Sequence, residues 1–256
     1  MRTAEQALRS TDAEDEQAGQ SSFSRSVLAL LDHVEYRRCE SGEDIEAIYR
    51  LRYDAYRRNG FLEESASQMM TDELDDAPNC YRFGVFIDRE LVSTVRIHHI
   101  TQAQPFGPIM SVFGDVLRPR LASGQSFVNP TLLAADTSGV AMRRALPYLT
   151  LRLAVIANTY FNSTNCVCVI REEHTAFYHR IFGSRQVGQP RPYPPFTVPV
   201  MLYDSECALN MERTLRRFPF FRSTAFERRM LFAKAPRGEL APLTILPTAK
   251  YFSNAA

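Results

Sequence analysis

Between Phe127 and Ile170 the chain reads as strand, polar turn, helix and strand, and this order constrains the fold more than any other feature. Phe127 to Ala135 is strand-like, with Pro130 marking an edge, a bulge or a splayed position. Asp136-Thr137-Ser138-Gly139 leads into a helical pattern from about Val140 to Tyr160, where Pro147 implies a kink or a later true start. Asn165 to Ile170 is a continuous apolar, β-branched run, as expected of a strand buried on both faces. A crossover of this kind requires adjacent parallel strands.

The flanks extend the pattern. Val34 to Cys39 reads as a first strand, and Ser41 to Asp44 as a helix start with acidic residues at the positive end of the dipole. Ile45, Ile48, Leu51, Arg52, Ala55 and Tyr56 share one face of the helix that follows, and Asn59-Gly60 stops it. Tyr81 to Ile87 and Leu91 to Ile100 form a hairpin whose second strand turns Val92, Thr94, Arg96 and His98 to one side. Gln104 to Gly124 reads as a Pro/Gly-interrupted stretch rather than an element. Glu172 to Phe182 is a helix ended by Gly183, and the Pro-rich linker Pro190 to Pro195 precedes a strand from Thr197 to Tyr203. A final apolar helix and strand are expected to end near Ala233.

Residues 1 to 22 are acidic and polar without an aromatic and are expected to be a disordered tail, with 23–256 as one domain including a C-terminal extension. Phe23 to Leu31 reads as a short helix docking on that domain. With 30 basic against 29 acidic residues, the chain lacks the broad positive footprint of a nucleic-acid or anionic-lipid binder. Local arginine clusters can still matter, because 28 of the basic residues are arginine. Cys39, Cys80, Cys166, Cys168 and Cys207 form no CxxC pair and have no histidine at zinc-ligand spacing, so the expectation is buried thiols in a reducing cytoplasm and no metal. No apolar run is long enough for a membrane span.

This succession of elements, with the helix Thr175-Ala-Phe-Tyr-His-Arg-Ile-Phe-Gly183, resembles the GNAT superfamily. The resemblance implies an α/β (α+β) fold, a mixed central sheet with helices on both faces. Arg52-Tyr-Asp-Ala-Tyr56, the acidic run Thr71 to Asn79, and Thr94-Val-Arg-Ile97 are similar to the arginine, aromatic, paired-acid and arginine pattern of acyl-homoserine-lactone synthases. Their relatives, the long-chain N-acyl amino acid synthases, share that layout. Lactone synthases carry an acid and an arginine on the strand before the long helix, where this chain has Asn129 and Thr131. The departure favours an amino-acid-type acceptor over S-adenosylmethionine. The Gly-rich pyrophosphate loop is reduced to Asp136 to Gly139, which favours pantetheine on an acyl carrier protein over coenzyme A.

The resemblance therefore implies an N-acyltransferase that moves a long acyl group from an acyl-carrier-protein or CoA thioester to the amine of a small molecule, with no permanently bound cofactor. The alternatives are an autoinducer lactone synthase and a non-catalytic acyl-binding module. A splay around Thr131, Leu132, Leu133 and Val167 would free backbone groups for the pantetheine arm. Thr137, Ser138 and Gly139, at a helix start, are either a phosphate site or a plain connecting turn. The resemblance places Asp72 and Asp76 at the acceptor amine. Arg52 and Arg96 either bind an acceptor carboxylate or pair with those acids, and Tyr56 shares the inner face with Arg52. Tyr178 could protonate the leaving thiolate or merely pack, and His98 and His99 are candidate bases by chemistry. Phe106, Met110 and Phe113 form either an acyl pocket or ordinary core.

Overall fold

The computed structural model describes residues 21–40, 42–136, 144–193, 196, 198–234 and 244–252. Its strands are β1 Val34–Arg38, β2 Cys80–Ile87, β3 Glu90–Ile100, β4 Phe127–Ala135, β5 Asn165–Ile170, β6 Arg185–Arg191, β7 Val200–Glu206 and β8 Thr244–Ile245. They form one sheet in the order β6-β7-β5-β4-β3-β2-β1-β8. Every neighbouring pair is antiparallel except β4 and β5, which run parallel as the crossover between them demands.

Seven α-helices accompany the strands among the described residues: α1 Ser22–Leu30, α2 Gly42–Arg58, α3 Pro108–Ala122, α4 Leu146–Phe161, α5 Thr175–Phe182, α6 Cys207–Arg217 and α7 Ala225–Phe232. They cover both faces, and alternation along β3 decides which. Ser93 meets Thr150 of α4 through their hydroxyls, 2.6 Å apart, so Ser93, Val95 and Ile97 face α4. Thr94, Arg96 and His98 face the side of α2 and α3. The main core lies on the α4 side, where Tyr36, Phe83, Val95 and Ile97 pack with Leu149, Leu153, Phe220 and Phe232. A second core on the other side joins Ile109, Met110, Phe113 and Leu117 of α3 to Phe127, Val167 and Leu202.

Several elements depart from the sequence expectations. Helix α3 occupies the stretch read as interrupted. Its apolar residues recur at helical spacing, but Gly107, Pro108, Gly114 and Pro119 hide the pattern, although Pro108 at the first turn and Gly124, at φ +89, are start and stop signals. The long helix begins late, at Leu146, with Pro147 in its first turn. Strand β6 has no apolar alternation to betray it, because it lies exposed at the sheet edge and pairs only with β7. The next strand begins at Val200 rather than at Thr197 and runs on to Glu206. Past it lie two helices instead of one, and the last strand, β8, comes after the expected end and pairs with β1. Ser21 caps α1, so that helix starts inside the segment expected to be a tail, whose residues 1–20 lie outside the described ones.

The C-terminal region is fastened by a buried ion pair. Arg152 of α4 and Glu227 of α7 are both fully buried and bonded through both ends of the guanidinium, the Nη2 to Oε2 contact being 2.9 Å. Arg152 also donates to the carbonyls of Phe220 and Arg222, each at 2.7 Å, and Thr248 donates to Glu227 at 2.6 Å. Glu227→Ala leaves a buried guanidinium unpaired and is expected to cost about 3–5 kcal/mol, whereas Arg152→Met with Glu227→Leu recovers most of the loss; urea unfolding of both variants checks this.

Candidate active site

Three neighbouring residues of β4 open the sheet. Its ladder with β5 holds at Phe127 opposite Asn165 and Val128 opposite Cys166, and then stops. At the next position Asn129, fully buried, sends its amide across the gap to the carbonyl of Val167 at 2.8 Å. Pro130 has no N–H to offer a partner strand. Leu132 then takes φ +50, the left-handed region rare for a branched side chain. Its register against β3 shifts there, so Leu132 and Leu133 stand opposite the single Val95 in a β-bulge.

The gap contains a chain of cavities. A chamber of about 180 Å³ lies between Tyr56, Asp72, Arg96, Thr131, Leu132 and Tyr178, with Tyr193 and Phe196 closing its outer side. It shares Tyr56, Leu133, Val169, Tyr178 and Phe196 with an outer cavity of about 380 Å³ between α2 and the C-terminal ends of β4 and β5. On the other side it shares Pro130, Leu151, Cys168 and Tyr178 with an inner cavity of about 40 Å³ bordered by α4 and α6. Tyr178 of α5 borders all three.

Charge in the chamber is organised by the turn Glu73–Asp76. The loop before it is tied to α2 by Ser65 N–H donating to the Tyr53 hydroxyl and Met70 N–H to the Tyr49 carbonyl, both at 3.1 Å. Asp72 caps the turn by accepting from Leu74 N–H at 2.9 Å, while Asp75 accepts from Asp72 N–H at 3.2 Å, a reciprocal capping box. Arg96 reaches across from β3 and grips Asp72 with both terminal nitrogens, at 2.5 and 3.1 Å. Asp75 lies behind, almost fully buried, and takes Arg52 at 2.9 Å, Arg96 at 3.3 Å and the Thr71 hydroxyl at 3.0 Å. Burial pushes the Asp75 carboxyl up, but Arg52 and Arg96 outweigh it and hold the group below the usual carboxylate range. Thr131 accepts from Arg96 Nε at 3.2 Å, so the arginine is fixed from both sides.

Burial also governs the other titratable groups. The hydroxyls of Tyr56 and Tyr193 are pushed up to about 12, and that of Tyr178 further still, so all three hold their protons. Cys168 is pushed up to about 12 and stays a thiol. His98 is pulled down to about 4 by burial and by Arg96, and contacts the Leu74 carbonyl through Nε2 at 3.0 Å. His99, also near 4 through burial, stacks on Phe161 with the ring centroids 4.1 Å apart.

The structure gathers most of the residues singled out in the sequence and disperses the rest. Asp72, Arg96, Tyr56, Tyr178, Thr131, Leu132 and Leu133 border the chamber. Arg52 stands behind that wall and reaches it only through Asp75. Asp76 points outward to Arg82 at 3.0 Å with its side chain 86% exposed, so Asp75 is the acid that completes the pair. Val167 packs its side chain in the second core while its carbonyl, at the gap, accepts from Asn129, and Cys168 and Val169 line the chamber beside it. Met110 and Phe113 also belong to that core, Phe106 is 45% exposed, and none of the three borders the chamber. Thr137, Ser138 and Gly139 lie outside the described residues. Sequence reasoning passed over Asp75, although the spacing Asp72-x-x-Asp75 is itself a capping signal, and over Tyr193 and Phe196, aromatics in a proline-stiffened linker. All five cysteines are free, and no cluster of three or more potential metal ligands occurs among the described residues. Among those residues no helix is long and apolar enough to cross a membrane.

Residues 47–206 match the family model described as N-acyl amino acid synthase FeeM, a span that takes in Arg52, the acidic turn, the bulged strand and Tyr178. The chain belongs to the FeeM family. It is accordingly an N-acyltransferase that acylates an amine, which sets aside a purely binding module. The solved structure of FeeM, from uncultured soil microbes, is similar over 68% of this chain and 91% of its own, at 18% identity and a TM-score of 0.57. The CoA-dependent acyl-homoserine lactone synthase MesI is 17% identical over 75% of this chain and 92% of its own, with a TM-score of 0.47. For the acyl-homoserine lactone synthase LasI the values are 14%, 67%, 88% and 0.48. A comparison with curated proteins found no match.

Two outcomes separate the neighbouring acids and the histidines. Asp75→Ala strands Arg52 in the interior and is expected to cost about 3–5 kcal/mol, while Asp76→Ala changes stability by less than about 0.5 kcal/mol; chemical denaturation of the pair distinguishes them. Both histidines bind a proton less readily folded than unfolded. Their contribution is therefore complete above their unfolded value of about 6.5 and is lost as the pH falls toward about 4. His98→Asn is expected to flatten that decline when unfolding midpoints are measured from pH 7 to 4.5.

Proposed function

We propose that this FeeM-family chain transfers a fatty acyl group from a carrier-protein or CoA thioester to the amine of an amino acid or similar small molecule, in the chamber between β4 and β5. The observation that carries the reading is the parting of those strands after two pairs, which exposes backbone and side-chain groups to one enclosed space beside Asp72 and Arg96. The family description supplies the acceptor class. The sequence Asp136-Thr137-Ser138-Gly139, without a glycine-rich run, favours the single phosphate of a carrier-bound pantetheine over the diphosphate of coenzyme A.

The chemistry follows from what amide formation requires. The acceptor arrives as an ammonium and must lose a proton before it can attack. Asp72 is the one carboxylate among the described residues bordering the chamber, and Arg96 holds it in place. It orients the ammonium and takes the proton. The free amine attacks the thioester carbonyl, and the bulge at Leu132 and Leu133 offers the backbone N–H groups that receive the developing oxyanion. When the tetrahedral intermediate collapses, the carbon–sulfur bond breaks. Tyr178, protonated because burial opposes its ionisation, gives its proton to the departing thiolate and is restored by the second proton, which the nitrogen loses as the amide forms. Arg96, already engaged by Asp72 and Asp75, positions the acid and leaves the acceptor's carboxylate to other groups.

Mass spectrometry of lipid extracts from cells overexpressing the protein tests this directly. A new N-acyl species is expected with the wild type, absent with Arg96→Ala. With purified protein, Tyr178→Phe is expected to lower kcat by about 10²-fold or more with little change in acceptor KM. Full turnover by that variant would leave Tyr178 a packing role only.

A further inference from the structure

We propose that helix α6 forms the blind end of the acyl-chain site and that Met211 sets the length of chain this enzyme accepts. The inference rests on the acyl-transfer reading above. It concerns residues that reading does not touch, because the family match ends at residue 206 and α6 begins at Cys207.

The path is physical. A chain attached to a carbonyl in the chamber has one enclosed continuation on the α4 side, past Pro130 and Cys168 into the inner cavity. Its far wall is the inward stripe of α6, namely Cys207, Asn210, Met211 and Thr214, spaced three and four residues apart. The space is narrow. About 40 Å³ holds roughly three water-sized spheres, so the terminal carbons of a chain entering it meet the side chain of Met211. Polar groups at that end do not invite a longer chain, because they already bond to one another. Asn158 accepts from Ser163 at 2.6 Å and from the Cys207 thiol at 3.3 Å.

The wall is fixed rather than yielding. Thr214 donates to the Ile181 carbonyl at 2.9 Å, tying α6 to α5. Gly183, at φ +64, lets the two helices approach so closely that a Cβ there would lie 2.1 Å from Asn210 Oδ1. A fixed wall faced by a flexible thioether makes a graded ruler, tolerant of one methylene and intolerant of several.

The test is a chain-length profile for the whole protein, read both as kcat/KM with acyl thioesters of C4 to C16 and as dissociation constants of unreactive acyl-pantetheine thioethers. Met211→Ala is expected to move the optimum to longer chains and Met211→Trp to shorter ones, with discrimination between the old and new optimum changing roughly tenfold or more. Met211→Leu, close in volume, should keep the wild-type profile, as should Leu209→Ala on the outer side of α6, where Leu209 is 71% exposed. Variants that change all lengths by the same factor would overturn the proposal. Thioethers that bind with a length preference responsive to Met211, without turnover of any thioester, would remove the catalytic reading and keep this one. A measurement on the wild type guards against variants that fail to fold: short thioethers should slow alkylation of Cys168 only, and long ones that of Cys207 as well, resolved by peptide mass spectrometry. Equal protection of both thiols at every length would also sink the idea.

Discussion

A guanidinium carried into the middle of a sheet must find carboxylates there, and this requirement organises the side of the sheet that faces α2. Arg96 on β3 and Arg52 on α2 are 1% and 0% exposed. Left unpaired, either would cost several kcal/mol, more than a small number of apolar contacts can offset. The acids come from a loop with no regular structure beyond one short turn, so the loop is drawn inward and held by charge rather than by a ladder. Once there it forms a wall of the chamber and presents Asp72, still 45% exposed, to whatever enters. The inner acid, Asp75, satisfies both arginines and keeps the outer one in position. One cluster thus divides its work, with the burden of burial carried by Asp75 and access to the chamber kept by Asp72.

What the sequence discloses follows how local each signal is. Strands β4 and β5 have the bounds their composition suggests, because a β-branched run between turn residues leaves little choice. Arg96 is legible for the same reason: a charge amid alternating apolar residues, on a strand with a defined hairpin partner, has to point somewhere specific. The choice of Asp75 over Asp76 is a matter of one residue in a tight turn, where successive side chains diverge and only the capping spacing tells them apart. Which side chains of β5 line the chamber is not legible in the same way, because a continuous apolar run gives no clue to its two faces. Helix α3 shows the reverse difficulty. Its prolines and glycines read as loop although two of them are a helix start and stop. Tyr193 and Phe196 are beyond local inference, because nothing in a proline-rich stretch of sequence says that its aromatics border a site formed by distant strands.

The departures from the lactone-synthase pattern also acquire physical content. Thr131 stands where an ionic partner would be and receives Arg96 Nε instead, while Asn129 bridges to β5 at the point where the ladder fails. Neutral groups have taken over tasks of placement, so the ionic part of the site is confined to the arginines and the acidic turn on the β3 side. The two sides of the gap are chemically unlike: one charged, the other apolar and lined by Cys168, Val169 and Leu151. An amphiphilic pair of substrates, with a polar acceptor and a hydrocarbon donor, matches that division.

The parallel seam has one more implication. Strand β5 is hydrogen-bonded to β7 along its whole length and to β4 for only two residues, and beyond Val128 the two facing edges are linked by a side chain, Asn129 to the Val167 carbonyl. An extended guest with amides of its own has the form to lie between two such edges in the manner of a missing rung. Recognition along such an edge would draw on the same bonding that holds the strands together elsewhere.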